Sequence, residues 1–173
     1  MSKISISVNK VRAQVEKDLK ESLNNSRMQK IGEFVIEKIR IRTRLGYGAS
    51  GHLRPREKLK PLAESSKDIR KGFKKAGELS EFTSPGRSNL TFTGQMLDSL
   101  TVRVISMGKI IIDVTGIRKP TKKKDDLRTN KEVAQKVTDE GRPFMYLTDK
   151  DYKAVINFVR DGFKSILKKR LTR

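Results

Sequence analysis

One stretch of the sequence decides how the rest of the chain is read: Leu90-Thr91-Phe92-Thr93-Gly94-Gln95-Met96-Leu97-Asp98-Ser99-Leu100. Thr93 is a predicted N-cap, because a threonine hydroxyl can accept a hydrogen bond from the free amide groups of a first helical turn. The short helix that it opens presents three apolar side chains on one face: Met96, Leu97 and Leu100. We therefore expect a short, buried helix directly before a β-hairpin.

Two apolar runs and a short connection predict that hairpin. Residues 101–105 and 110–115 are rich in valine, isoleucine and threonine, which favour strands. Residues 106–109 join the two runs as a turn that contains Gly108. The second run carries three isoleucines in succession, Ile110 to Ile112, and this predicts burial on both faces of the strand.

A second stretch leads into the last helix of the chain: Gly141-Arg142-Pro143-Phe144-Met145-Tyr146-Leu147-Thr148-Asp149-Lys150-Asp151. Pro143 disfavours a helical backbone at Arg142, so the segment is expected to be extended. Phe144 and Tyr146 then alternate along it. We expect one of these aromatic rings to enter the core and the other to lie at its edge.

Capping signals define the helices on both sides of this segment. Thr129 and Glu132 form a capping-box pattern for a helix that stops at Gly141. Thr148 and Asp151 are the predicted cap of the last helix. The apolar face of the last helix has the most regular helical spacing in the chain: Tyr152, Val155, Ile156, Val159, Phe163, Ile166 and Leu167.

The first part of the chain predicts two helices. Residues 8–23 carry a narrow apolar stripe on a highly charged helix: Val8, Val11, Val15, Leu19 and Leu23. Ser26 and Gln29 form a capping-box pattern for a second helix, which continues to about Arg44. Its inward face is expected to consist of four apolar residues: Ile31, Phe34, Val35 and Ile39.

The region between the second helix and the first stretch is predicted as loops around a short helix. Three glycines mark a flexible loop after Arg44: Gly46, Gly48 and Gly51. Residues 63–76 are expected to form a helix with Ile69 and Phe73 facing inward. Residues 77–89 and 116–128 are predicted loops, the second of them rich in lysine.

Together these elements predict an α+β fold. A small antiparallel sheet packs against helices, with a long N-terminal helical region and a long C-terminal amphipathic helix. At 173 residues the chain is expected to form a single domain over 1–173. Residues 1–44 are its helical N-terminal part, and residues 90–173 contain the core of hairpin and C-terminal helix.

The charge of the chain is its second informative property. Forty lysines and arginines oppose 20 acidic residues, which gives a net charge of +20. A solvated basic surface would account for this, but the charge also favours a negatively charged partner, either nucleic acid or an acidic protein surface. The candidate contacts form two clusters: Arg42, Arg44, Arg54, Arg56, Lys58 and Lys60, and then Arg118, Lys119, Lys122, Lys123 and Lys124. Aromatic residues are not interleaved with these clusters as in a base-stacking platform.

Residues with catalytic potential are few and have simpler explanations. His52 is the single histidine and lies in the glycine-rich loop. Asp125 and Asp126 lie among lysines that balance their charge, and Asp149 and Asp151 stand where a helix is capped. Nothing in the sequence has the spacing of a metal site or a catalytic triad. We expect no enzymatic activity and no cofactor.

The compartment is indicated by what the sequence lacks. There is no cysteine, which is typical of proteins that assemble in a reducing cytoplasm. No apolar run approaches the roughly 20 residues of a membrane span, and residues 1–7 do not have the apolar core of a signal peptide. We expect no contact with a membrane.

Three segments, in this order, resemble the virion-morphogenesis and tail-completion proteins of phages. The stretch from Thr93 to Leu100 is similar to the family element Thr-Gly-x-Leu-x-x-Ser-Leu, which also precedes a hairpin. Residues 58–67 resemble the element Trp-x-Pro-Leu-Ser-x-x-Thr, with Leu59 in place of the aromatic residue. The run from Gly141 to Phe144 resembles the element Arg-Pro-Phe-Leu before a terminal helix. The residues that carry the match are Thr93, Gly94, Leu97, Leu100, Gly141, Arg142, Pro143 and Phe144.

The resemblance implies an α+β structural protein that assembles into a ring, often of six subunits, at the phage neck or at the head-proximal end of the tail. Its implied partners are further copies of itself, the connector or adaptor ring, the tail proteins and the genomic DNA in the channel. It also implies a location in the virion after assembly in the host cytoplasm. The lysine-rich residues 117–131 have no counterpart in the family pattern. The alternative that the charge supports is a sequence-independent nucleic-acid-binding protein that acts alone.

Overall fold

The computed structural model describes residues 8–75, 77, 90, 94–117 and 129–172. This part of the chain contains the following helices: α1 Val8–Ser22, α2 Asn25–Arg44, α3 Glu64–Lys75, α4 Gln95–Asp98, α5 Asn130–Asp139 and α6 Asp149–Leu171. Strands β1 Tyr47–Gly48 and β2 Glu57–Lys58 form one antiparallel pair, and strands β3 Leu100–Ser106 and β4 Lys109–Val114 form another. The α+β class is confirmed, with two separate two-stranded sheets.

Helix α2 begins two residues earlier than the sequence predicted. Asn24 is its N-cap, and the Asn24 side chain accepts a hydrogen bond of 2.9 Å from the amide of Arg27. The predicted capping box of Ser26 and Gln29 is therefore wrong, because an asparagine in an extended conformation already satisfies the first turn. Gln29 instead donates to Glu33 within the helix. The predicted end at Arg44 is confirmed.

The predicted caps of the last two helices are both confirmed. Thr129 and Glu132 form a complete capping box at the start of α5, and Gly141 follows its end with a left-handed φ of 81°. At the start of α6, the Asp151 amide donates to the Thr148 hydroxyl over 3.1 Å. The Thr148 amide donates in return to the Asp151 carboxylate over 3.3 Å. Each of these helix starts is capped by residues three positions apart in the sequence.

Helix α2 and the β3–β4 hairpin enclose the core. Val102 pairs with Ile112 across the hairpin, and Gly32 of α2 allows Val102 to approach closely, since a Cβ at Gly32 would clash with it. The buried core cluster draws on five elements and the segment before α6: Val35, Ile36, Ile39, Met96, Leu97, Leu100, Val114, Ala134 and Phe144. Phe144 is fully buried and Tyr146 is 37% exposed, which confirms the predicted alternation.

Three predictions about individual residues are wrong. The N-cap of α4 is Gly94 in a left-handed conformation, without a side-chain cap; Thr93, the predicted cap, lies outside the described residues. Residues Ile110 to Ile112 are only half-buried, because the hairpin has two strands and α2 covers one of its faces. Ile69 of α3 is 55% exposed, and the neighbouring Arg70 is the buried residue of that helix. None of the described helices is long and apolar enough to cross a membrane.

Candidate partner interface

Arg42 anchors the candidate interface from inside the protein. It lies in the last turn of α2 with only 5% of its surface exposed, and its guanidinium forms an ion pair with Asp151 at the start of α6. The same guanidinium donates hydrogen bonds to the carbonyl oxygens of Phe144, over 2.6 Å, and of Tyr146, over 2.8 Å. The prediction that Arg42 contacts an external partner is therefore wrong.

Helical spacing explains why Arg42 is buried. Val35, Ile39 and Arg42 follow one another at intervals of four and three residues, so they share the face of α2 that packs on the core. A cation at that position must find its partners inside the protein. This spacing was visible in the sequence, but the clustering of basic residues around Arg42 suggested a surface role.

The ion pair between Arg42 and Asp151 joins three parts of the fold. Burial lowers the pKa of Arg42, while the charge and the hydrogen bond of Asp151 act in the opposite direction. Arginine remains protonated at any physiological pH, so the Arg42 guanidinium stays charged. Loss of one partner of such a buried pair typically costs about 3–5 kcal/mol, because the other charge is left uncompensated. Asp151 also caps α6, so α2, the segment before α6 and α6 itself depend on one carboxylate.

The segment 142–149 holds the region that follows α2, which we call the basic loop and define as residues 46–60. The amide of Ala49 donates to the Pro143 carbonyl over 3.1 Å, and the amide of Leu53 donates to the Leu147 carbonyl over 2.8 Å. The amide of Asp149 donates to a carbonyl of the loop in return. At the far end of the loop, the guanidinium of Arg142 donates to the carbonyls of residues 60 and 61, each over 3.3 Å.

The basic loop also has internal order. Strands β1 and β2 pair within it, and the Ser50 hydroxyl donates to Glu57 over 2.8 Å. The guanidinium of Arg56 lies 4.7 Å above the centre of the Tyr47 ring, at cation–π distance. Gly48 is needed here, because a Cβ at that position would clash with the Pro143 carbonyl. The sequence predicted a flexible glycine-rich loop, whereas the structure shows a hairpin fastened to the segment before α6.

Four of the predicted contact residues lie together on the surface of this loop: Arg54, Arg56, Lys58 and Lys60, all of them exposed. The acid among them, Glu57, is engaged by Ser50. Arg44 is half-buried and lies 3.4 Å from the carboxylate of Asp98. The second predicted cluster, Arg118, Lys119, Lys122, Lys123 and Lys124, lies outside the described residues. The loop therefore presents a cluster of exposed cations on a backbone that is already ordered, which suits the binding of an anionic surface.

The residues with catalytic potential do not converge in the described part of the chain. His52 is exposed, and its ring meets the edge of Tyr146 at 5.0 Å. Asp151 is committed to Arg42 and to the cap of α6, and Asp149 is half-exposed beside Lys153. Within residues 8–75, 94–117 and 129–172, the acids and the histidine form no group of three that could hold a metal ion. Asp125 and Asp126 lie outside the described residues.

Helix α6 carries a second candidate surface. Its apolar face is incompletely covered: Tyr152 is 44% exposed, Ile156 39% and Leu167 37%. Phe158 stacks on Phe34 of α2, with 4.4 Å between the ring centroids, yet it remains 38% exposed. On the facing helix α1, Leu19 is 45% exposed. The helix with the most regular apolar spacing in the sequence therefore keeps half of that face open.

The two stretches that the sequence singled out meet in space. Leu97 and Leu100 from the first and Phe144 from the second pack in one core cluster, and the second stretch then holds the basic loop. No protein-family model, no curated protein and no solved structure matches the chain. The family resemblance therefore rests on the motifs themselves and on the order in which they occur.

Proposed function

We propose that this protein is a structural virion protein that forms a ring at the phage neck, or at the head-proximal end of the tail, and joins the tail to the head connector. One observation carries the proposal. The family-like residues Leu97, Leu100 and Phe144 form a single buried frame, and the backbone that follows Phe144 holds an exposed basic loop. A buried frame that presents an exposed loop is an arrangement suited to binding a partner.

The uncovered apolar face of α6 supports assembly with other virion proteins. Large apolar side chains on soluble proteins are buried where space allows, and contiguous exposed ones mark interaction surfaces. Helix α6 has 23 residues; among its described side chains Asp151 is buried and Val155 packs against the core, while Tyr152, Ile156 and Leu167 stay more than one-third exposed. A long helix gains most of its stability from the packing of its apolar face, so α6 is expected to complete that packing against another subunit or partner.

The basic loop supports a place beside DNA. A net charge of +20 on each subunit would repel neighbouring copies in a ring unless an anion ran between them. Channel DNA is such an anion, and it requires contacts to phosphate without sequence reading. We propose that Arg54, Arg56, Lys58 and Lys60 face the channel, with the connector or adaptor ring and the tail proteins as the other partners.

The second candidate function is sequence-independent nucleic-acid binding by a protein that acts alone. The same four exposed cations favour it. Tyr47, the aromatic residue of the loop, gives this candidate function no support, because its ring is covered by the Arg56 guanidinium and is not free to stack on a base. The two candidates therefore differ in oligomeric state more than in the residues that they use.

Native mass spectrometry of the full chain over a range of concentrations, with and without duplex DNA, separates the two candidates. A closed ring, alone or after addition of neck or tail components, is the expected result. A monomer at every concentration, which binds DNA tightly and ignores virion proteins, would contradict the ring. For a monomer, four phosphate contacts predict a log–log salt slope of about −3.6, and a ring in which several subunits contact the DNA is expected to give a steeper slope.

A further inference from the structure

A groove lies where the end of α1 and the start of α2 face helix α6, and we call it the α1–α6 groove. It is lined by Leu19 of α1, Leu23 of the following turn, Arg27 and Ile31 of α2, and Ile156, Val159, Arg160 and Phe163 of α6. Its lining is apolar apart from the two arginines. The volume of this open groove is about 270 Å³. That space accommodates a few apolar side chains.

The shape of the groove favours a helix as its occupant. Ile156, Val159 and Phe163 follow one another at intervals of three and four residues, so they line the groove over about 10 Å of helix α6. A groove between neighbouring helices with such a spacing accepts the apolar residues of a further helix at positions i, i+3 and i+4. An extended strand would find neither backbone partners nor the right spacing there.

The charge around the groove selects the kind of helix. Arg27 lies against α6 at Gly162, where a Cβ would clash with its guanidinium, and Arg160 is exposed two residues before Gly162. Among the described side chains, neither arginine is within ion-pair distance of a carboxylate. Two such cations beside an apolar floor favour acidic residues on the occupant. A second copy of this chain fits less well, since it would bring another +20 of net charge.

We propose that the α1–α6 groove binds an amphipathic helix with acidic flanks that belongs to another virion protein. This inference rests on the proposed function for the identity of that protein, but the surface and the chemistry follow from the groove itself. Apolar side chains of the helix fill the space between Leu19, Ile156 and Phe163. Carboxylates on its flanks pair with Arg27 and Arg160.

A synthetic peptide tests the groove directly. The probe is a labelled amphipathic peptide of about 15 residues, long enough to be helical, with leucine at helical spacing and glutamate on its flanks. A second peptide carries lysine in place of every glutamate. Fluorescence anisotropy with the full chain is expected to show that the acidic peptide binds at least about tenfold more tightly than the basic one. Equal binding of both peptides would overturn the proposal.

Three variants locate the binding. Arg160→Glu is expected to lower the affinity for the acidic peptide about five- to tenfold and to raise the affinity for the basic peptide, since it reverses a charge at the rim of the groove. Ile156→Asp is expected to lower the affinity for both peptides by more than about tenfold, because it places a carboxylate on the apolar floor of the groove. Arg103→Glu is the matched control, a charge reversal at an exposed position of β3, and should leave both affinities unchanged. An effect of Arg103→Glu equal to that of Arg160→Glu would mean that only net charge matters and would overturn the site.

The same variants separate this inference from the proposed function. If the groove is instead the contact between neighbouring copies, Ile156→Asp abolishes the ring seen by native mass spectrometry, and the peptide proposal fails. If the ring forms with the wild-type chain and with Ile156→Asp, but the acidic peptide does not bind the wild-type chain, the groove proposal fails while the neck function stands. If the acidic peptide binds at the groove but the chain never forms a ring, the groove is confirmed as a binding surface, and the assignment of its partner to a virion is contradicted.

Discussion

The two ends of helix α6 are built in opposite ways. At its start, Asp151 is capped by Thr148 and paired with Arg42, and Phe144 lies fully buried just before it. Further along, the apolar face at Ile156 and Leu167 is more than one-third exposed. The first region satisfies its charged and apolar groups within one chain. The second leaves its apolar groups for a partner, and this difference indicates where the molecule is complete and where assembly completes it.

The largest effect is expected from Asp151→Ala. This substitution leaves the buried guanidinium of Arg42 without its counter-charge and removes the cap of α6, so the free energy of unfolding should fall by about 3–5 kcal/mol. Asp149→Ala, two residues away and half-exposed, is the matched control and should cost about 1 kcal/mol or less. Urea denaturation followed by circular dichroism measures both. Equal losses would mean that the Arg42 pair contributes nothing beyond a surface charge.

Phe144→Ala should also destabilise the protein by about 3–5 kcal/mol, because it opens a cavity in the centre of the core. Phe158→Ala is the comparison at a partly exposed position of α6. The Phe158 ring stacks on Phe34 but stays 38% exposed, so its loss should cost only about 1 kcal/mol in the isolated chain. The same denaturation experiment checks both substitutions. A larger cost for Phe158→Ala would show that α6 is already tightly packed beyond its first turns.

Two glycines extend the comparison between filled and open regions. Gly32→Ala is expected to destabilise the fold by about 1–3 kcal/mol, since the new methyl group would clash with Val102 under the hairpin. Gly72→Ala in α3 meets nothing within 4 Å and should stabilise the protein by about 0.4–1 kcal/mol through helix propensity. Thermal melting curves measure whether each substitution raises or lowers the stability of the protein. Stabilisation by Gly32→Ala would contradict the tight contact between α2 and β3.

The smallest effect is expected on the surface of the basic loop. Replacing Arg54 and Arg56 together by glutamine removes two phosphate contacts, so the log–log salt slope of DNA binding should become shallower by about 2 with little change in stability. The double replacement of Lys74 and Lys75 by glutamine at the end of α3 removes the same charge from a different surface. Filter binding at several salt concentrations measures the slopes. Equal changes for both double variants would assign binding to net charge alone.

Local signals predicted the helices well. The capping patterns of α5 and α6 were correct because each is settled by residues three positions apart. The α+β class and the β3–β4 hairpin followed from periodicity for the same reason. The candidate site was predicted less completely: the exposed cations Arg54 to Lys60 came from charge alone, while Arg42 was misread, since its partner Asp151 lies 109 residues away.

Two features of the molecule were outside the reach of sequence patterns. The hydrogen bonds that fasten the basic loop to residues 143–149 join backbone atoms, and backbone atoms leave no trace in side-chain composition. The periodicity of α6 correctly predicts an apolar face. It does not distinguish a face that the chain itself covers from one that a partner covers, because both require the same residues.

The most direct test of the central claim, that this is a protein that joins phage heads to tails, is electron microscopy of particles made after deletion of its coding sequence from the genome that encodes it. The predicted result is filled heads and separate, complete tails, which join when the purified wild-type chain is added back. Joined, infectious particles without the protein would contradict the claim.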